Sequence, residues 1–249
     1  VTHRLEVHPD FPEFEPLLPE IADHFGRSGE SIHKARNELR IARMAGRDIV
    51  IKAFRVPHLI NRIVYGRFRD SKASKSFHNA LELQKRGVAT PQPVGYIEFY
   101  RSGLFCESYY LSLHTPYDFT VREAFHHKID DHAAVIDAFA AFTFDLHSRG
   151  VWHVDYSPGN ILVHRTADGV HFSLVDINRM VFKEFSPEEG LTNFAKFWAK
   201  PEDLERMAKV YAELAGVDPE KAVKIAAGAA TALQHKTELK RRLKGRNNS

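Results

Sequence analysis

The sequence predicts an α+β protein whose first half is an antiparallel, β-rich unit with one helix and whose second half is helical. Three observations predict it. Short β-branched and aromatic runs broken by glycine turns crowd the chain before Leu113. From Phe119 onward the apolar residues recur at helical spacing instead. No apolar run approaches the length of a membrane span, and the best candidate, residues 133–146, carries Asp137 and Asp145. The 249 residues suit one large domain or two small lobes sharing a cleft. Hydrophobic content of 43% with 27% charged residues excludes a disordered chain.

The elements follow in order. Residues 39–44 and 49–54 flank Ala45-Gly46-Arg47 and read as a hairpin. A helix is expected over 71–86, capped by Ser71 or Ser74, with Phe77, Leu81 and Gln84 at helical spacing and Gly87 as its stop. Residues 94–100 and 104–113 bracket Arg101-Ser102-Gly103, a second hairpin. Residues 130–149 form a strong helix, with Asp130 or Asp131 as cap, Val135, Phe139, Phe142 and Leu146 as its stripe, and Gly150 as stop. Two short strands, 161–164 and 171–175, surround Ala167-Asp168-Gly169. The remainder from about Pro187 is helical, with Pro201 and Pro219 suited to first-turn positions. The change of pattern places a hinge near residues 113–117 and divides the chain into a β-rich lobe, 1–114, and a helical lobe, 115–249.

Composition narrows the function. The single Cys106 excludes an intramolecular disulfide and a cysteine-built zinc site. The fifteen histidines are scattered without a zinc-protease spacing, and the role of His126-His127 stays open. The opening Val1-Thr2-His3-Arg4 lacks the apolar core of a secretory signal, so a soluble, cytoplasmic protein is expected. Positive charge gathers in residues 236–246 and in Arg62, Arg67, Arg69, Lys72 and Lys75. Such clusters are either solvated surface or a footprint for phosphate-rich partners.

The chemistry sits in His153-Val154-Asp155-Tyr156-Ser157-Pro158-Gly159-Asn160, between a helix and a hairpin, with Asp176-Ile177-Asn178 after the hairpin. Phosphoryl transfer from ATP needs a carboxylate that aims the attacking hydroxyl, and an Asn and a second Asp that hold magnesium. The kinase signature H-R-D-x-x-x-x-N followed by D-F-G has its His, first Asp, Asn and second Asp in this register. Lys52, on the second strand of the first hairpin, resembles the phosphate-binding lysine of V-A-I-K. No G-x-G-x-x-G precedes it, and Gly26-Arg27-Ser28-Gly29 comes too early. Side chains of residues 34–38, Arg36 and Asn37 among them, would then meet the phosphates.

On these motifs, with Ser71-Lys72-Ala73 and residues 87–93, the chain resembles the lipopolysaccharide core kinases of the Kdo/WaaP type, within the protein-kinase-like superfamily. The resemblance runs from about His33 to Lys209. It implies a bilobal kinase-like fold, with ATP between the lobes and Mg2+ as the metal. The implied acceptor is a hydroxyl of an inner-core sugar, Kdo or heptose. It assigns Asp155 as catalytic base, Asn160 and Asp176 as metal ligands, and Lys52 as the phosphate lysine. The basic clusters then imply peripheral contact with the anionic inner face of the inner membrane rather than nucleic acid.

Three departures qualify this. Ser157 stands where protein kinases place a lysine, which favours a small-molecule or glycan acceptor. No A-P-E follows Asp176-Ile177-Asn178. The helix from Ser71 offers Ser76 and His78 where a glutamate would meet Lys52, with Glu82 one turn beyond as a substitute. An aminoglycoside- or choline-type kinase and a nucleotide-binding pseudokinase scaffold are the alternatives.

Overall fold

The computed structural model describes residues 1–27, 30–34, 38–54 and 70–246. It divides into two compact units, one of Val1–Pro116 with Asp176–Arg179 and one of Tyr117–Val175 with Met180–Ser249.

The first unit is built on a six-stranded antiparallel sheet. Its strands are β1 (Thr2–Val7), β2 (Glu30–Lys34), β3 (Glu38–Met44), β4 (Arg47–Phe54), β5 (Pro93–Arg101) and β6 (Leu104–Leu113), in the order β1-β5-β6-β4-β3-β2. Both expected hairpins form. Ala45 (φ 47°) and Gly46 (φ 75°) close one, and Ser102 (φ 51°) and Gly103 (φ 75°) close the other. Two successive left-handed residues match the twist of the flanking strands, and glycine adopts that conformation without penalty.

Side-chain alternation along the sheet sorts its two faces. Ile49, Ile51, Ile97, Tyr109 and Leu111 pack with Phe11, Phe14, Leu18 and Ile21 of the N-terminal segment. Phe54, Tyr96 and Tyr110 point the other way, against α2 (Lys72–Lys85). Ser71 caps α2 by accepting the Ser74 N–H at 3.0 Å, and Gly87 (φ 69°) follows its end. The buried face of α2 is Ala73, Phe77, Ala80 and Leu83, with Leu81 only partly buried and Gln84 at the margin. The expected stripe was therefore rotated, because small residues carry half of the real one.

One further helix, α1 (Ile21–Arg27), joins the expected one in this unit. Seven residues are too few for helical periodicity to register. β1 carries no strand signal in its sequence for a different reason. It is an edge strand with an exposed first half, Thr2-His3-Arg4, and edge strands keep polar residues to discourage further pairing.

In the second unit, β7 (Phe119–Thr120), β9 (Ile161–Thr166) and β10 (Gly169–Leu174) form one antiparallel sheet, and β8 (Val151–His153) pairs with β11 (Met180–Phe182). The helices are α3 (Val121–Phe125), α4 (His132–Ser148), α5 (Pro187–Leu191), α6 (Pro201–Ala215) and α7 (Pro219–Arg246). Proline opens the last three, where its missing N–H costs nothing. α4 buries Val135, Ile136, Phe139, Ala140, Thr143, Leu146 and His147, while Phe142 is half-buried. Asp131 precedes α4 without a side-chain capping bond; its carboxylate accepts from the Arg165 guanidinium at 2.6 Å.

A polar knot ties α4 to α6. His147 Nδ1 meets the Tyr211 hydroxyl at 3.0 Å, Asn193 Nδ2 lies 3.3 Å from its Nε2, and its ring stacks on Trp152. Gly190 packs so closely that a Cβ there would lie 2.8 Å from His147 Nδ1. Burial pushes the His147 imidazole down to about 4. Among the described residues no helix is long and apolar enough to cross a membrane.

Candidate active site

Lys52 lies on β4, opposite Tyr110 of β6, on the sheet face that carries Phe54. The alternation that buries Ile49 and Ile51 on one side sends Lys52 to the other. It is 8% exposed, with its ammonium 5.4 Å from the Phe54 ring. A lysine buried that far requires a partner. Lys52 Nζ donates to Asp176 Oδ1.

Asp176 sits in the left-handed region at φ 56°, which costs an L-residue on the order of 1 kcal/mol and persists only where neighbours hold it. Besides Lys52, Asn178 Nδ2 donates to Asp176 Oδ1 at 2.6 Å, and Asn79 Nδ2 of α2 donates to the Ile177 carbonyl at 2.6 Å. Glu82, the candidate substitute for a lysine-pairing glutamate, pairs with Arg86 at 2.8 Å instead. The i,i+4 spacing on one helix face makes that the nearer partner. α2 thus reaches this segment through the Asn79 amide.

Within the second unit, Asp155 and Asn160 share one loop. Asp155 is held by its main chain: its N–H donates to His153 Nδ1 at 3.1 Å, and its carbonyl accepts from Asn160 Nδ2 at 2.8 Å. His153 is fully buried, and its Nε2 is 3.0 Å from the Val175 carbonyl, which can only accept. That network assigns a neutral imidazole protonated at Nε2. The Val175 N–H in turn donates to the Asn160 carbonyl at 2.9 Å, so the residue before Asp176 is clamped on both sides.

Tyr156 anchors the middle of the loop. It is fully buried, with its hydroxyl 2.8 Å from Thr143 Oγ1 and its ring against Phe139 and Phe197. Thr143 spends its single proton on the Phe139 carbonyl, so Tyr156 is the donor. Two cations reach the loop from elsewhere. Lys196 donates to the Val154 carbonyl, and the Arg122 guanidinium lies over Gly159.

The structure therefore joins Lys52 with Asp176, and Asp155 with Asn160. Arg36 and Asn37 lie outside the described residues. Sequence reasoning missed Asn79, Tyr156, Lys196 and Arg122. Only Tyr156 left a local signal, a large aromatic side chain between Asp155 and Ser157. Among the described residues no group of three or more His, Cys, Asp or Glu is arranged to hold a metal by itself. An Asn amide oxygen and an Asp carboxylate are nevertheless hard oxygen donors of the kind that suits a cation shared with phosphate oxygens and water.

The family profile described as "Lipopolysaccharide kinase (Kdo/WaaP) family" matches residues 39–213. Among solved structures the chain is similar to WaaP in complex with acyl carrier protein, at TM-score 0.63 and 17% identity, covering 94% of this chain and 98% of that one. It also matches WbdD bound to the kinase inhibitor LY294002, at TM-score 0.46 and 15% identity over 82% of this chain and 45% of that one. No curated protein matches by sequence. The WaaP likeness shows a shared kinase-like fold. The profile covers well over half of the sequence, and so the chain belongs to the Kdo/WaaP lipopolysaccharide kinase family, as a phosphotransferase acting on a sugar of the lipopolysaccharide core.

Proposed function

We propose that the chain transfers the γ-phosphoryl group of ATP, with Mg2+, to a hydroxyl of a Kdo or heptose residue of the inner core, with Asp155 as the base. The observation that carries this is the way Asp155 is fixed. Both of its main-chain groups are engaged within the His153–Asn160 loop, and Tyr156 is locked in the core beside it. A carboxylate on such a frame aims an acceptor hydroxyl and takes its proton as the new P–O bond forms. Asn160 turns its amide nitrogen onto the Asp155 carbonyl, which supports reading its oxygen as a cation ligand. Asp176 is the second ligand, and Lys52 is the cation for the phosphate oxygens. Bound Mg2+ supplies neutralisation of charge on the transferring phosphoryl oxygens. The β-rich lobe, 1–114, covers the nucleotide, and the helical lobe, 115–249, carries the catalytic loop and the acceptor site.

Asp155→Asn keeps shape and one hydrogen-bond acceptor but cannot take a proton. Turnover of purified lipid A–core should fall roughly 10²–10⁴-fold, mainly in kcat, at an unchanged melting temperature. A variant that is destabilised yet transfers phosphate at a near wild-type rate would remove Asp155 from the mechanism.

The enzyme meets its lipid-anchored acceptor at the anionic inner face of the inner membrane. Exposed Lys236, Lys240, Arg241 and Arg242 on the far end of α7 support this reading, since each cation near such a surface contributes about 1 kcal/mol. Deleting residues 236–246 should weaken binding to lipopolysaccharide-containing vesicles at low salt without changing ATP affinity. Equal vesicle affinity of the two proteins would sink the membrane assignment.

A further inference from the structure

Arg122 opens onto the catalytic loop from the first turn of α3. A Cβ built on Gly159 would lie 3.1 Å from Arg122 Cζ and nearer still to Nη2. Glycine is therefore what lets the guanidinium rest on the backbone of this loop, one residue from Asn160 and four from Asp155. The side chain is exposed, and among the described residues no carboxylate pairs with it.

Three acidic groups near it in sequence are engaged elsewhere. Glu123, its chain neighbour, accepts from the Thr120 N–H at 3.0 Å and the Thr120 hydroxyl at 2.7 Å. Asp118 accepts from the Arg165 N–H at 2.7 Å, and Asp131 from the Arg165 guanidinium. A planar cation with five N–H donors is thus left facing solvent on the loop that carries Asp155. Its fork geometry matches a carboxylate or a phosphate in two parallel hydrogen bonds.

We propose that Arg122 binds an anionic substituent of the acceptor sugar, a carboxylate or a phosphate, and so places the adjacent hydroxyl at Asp155. The inference rests on the reading of Asp155 and the core-sugar acceptor given above, and it adds how that acceptor is selected. A neutral sugar gains nothing from this contact, so Arg122 discriminates acidic from neutral acceptors. Lysine at this position keeps the charge but loses the paired geometry.

The test compares wild type, Arg122→Ala and Arg122→Lys on three acceptors: lipid A–core, the same core with its carboxyl groups reduced, and the same core treated with phosphatase. On native core, Arg122→Ala should raise the acceptor KM roughly 10–100-fold, the worth of a charge-assisted pair, and Arg122→Lys should raise it less. The ATP KM and the melting temperature should not move. The penalty should vanish on the acceptor that lacks the recognised group: the carboxyl-reduced core if it is a carboxylate, the dephosphorylated core if it is a phosphate. A penalty that persists on both modified acceptors, or that falls on the ATP KM, overturns the proposal. So does an unchanged acceptor KM on native core. Failure of the wild type to phosphorylate any core would overturn the activity itself. Arg122 is then judged by equilibrium binding of the three cores to wild type and Arg122→Ala, where the same pattern of affinities is required.

Discussion

The two segments that carry Asp155 and Asp176 are held by different kinds of bond. Asp176 is gripped through its own side chain, by Lys52 and Asn178, in a left-handed backbone conformation that its neighbours must maintain. Asp155 is gripped through its main chain, by His153 and Asn160, over an aromatic anchor in the core. The difference follows from the work proposed for each. A metal ligand works as a fixed charge and can be shared with a lysine, whereas a base must exchange a proton, and main-chain bonds hold the Asp155 loop whatever the protonation state of its carboxylate. The first loop should therefore depend on charge and the second on packing.

Among the side chains that hold the two loops, Lys52 should give the largest effect. Lys52→Ala should lower turnover roughly 10²–10³-fold, the usual cost of deleting a donor aimed at developing negative charge. It should also speed amide hydrogen exchange in residues 176–179, whereas Asp155→Asn should leave exchange in residues 153–160 unchanged. Equal protection changes in the two loops would erase the distinction.

Acid tests the packing side. His147 lies on α4, the helix that also supplies Phe139 and Thr143 to Tyr156. Its pKa is depressed from 6.5 to about 4 in the folded protein, so the unfolded chain binds a proton that the folded one refuses between those values. Stability should fall as pH drops from about 6.5 to about 4 and lose no more from this group below that. The loss is up to about 3 kcal/mol. Denaturant titrations should show His147→Gln flattening that slope, even though the variant starts less stable at neutral pH. An unaltered slope would take His147 out of the acid response.

Asn79 offers a finer comparison, because it holds the first loop by a neutral hydrogen bond. Asn79→Ala should raise the KM for ATP with magnesium up to about tenfold and leave the acceptor KM alone, in line with a net hydrogen bond of about 1 kcal/mol. An effect confined to the acceptor would show that α2 does not position Asp176. The smallest change expected is Tyr156→Phe. It removes a donor from Thr143, whose own proton still reaches Phe139, and should cost about 1 kcal/mol of stability with kcat nearly intact. A large kcat loss without a stability loss would mean that the hydroxyl acts in the chemistry.

The legible parts of this site were those written along the chain. Asp155, Asn160 and Asp176 stand at fixed separations in one stretch, and Lys52 ends a β-branched run whose alternation sets its face. Asn79, Lys196 and Arg122 stayed hidden because each reaches a loop from an element far away in sequence, and nothing in a helical repeat marks which polar residue will do so. The Glu82–Arg86 pair was different. Its i,i+4 spacing was visible, and it would have argued against Glu82 as the partner of Lys52. In the fold, the hairpins and proline-led helices were written in turn and cap residues. The phase of α2 was obscured by alanines, and β1 by its polar edge.

Residues 176–179 belong to the first unit although the chain on either side belongs to the second. Timing follows from that arrangement. During synthesis the sheet of the first unit can assemble once residue 113 has emerged, but the buried ammonium of Lys52 then lacks its carboxylate for another sixty-odd residues. At about 5–20 residues per second, that interval lasts several seconds. Residues 1–116 produced alone would stay in that state permanently. Adding the tetrapeptide 176–179 through an engineered linker is the shortest route to a self-sufficient first half.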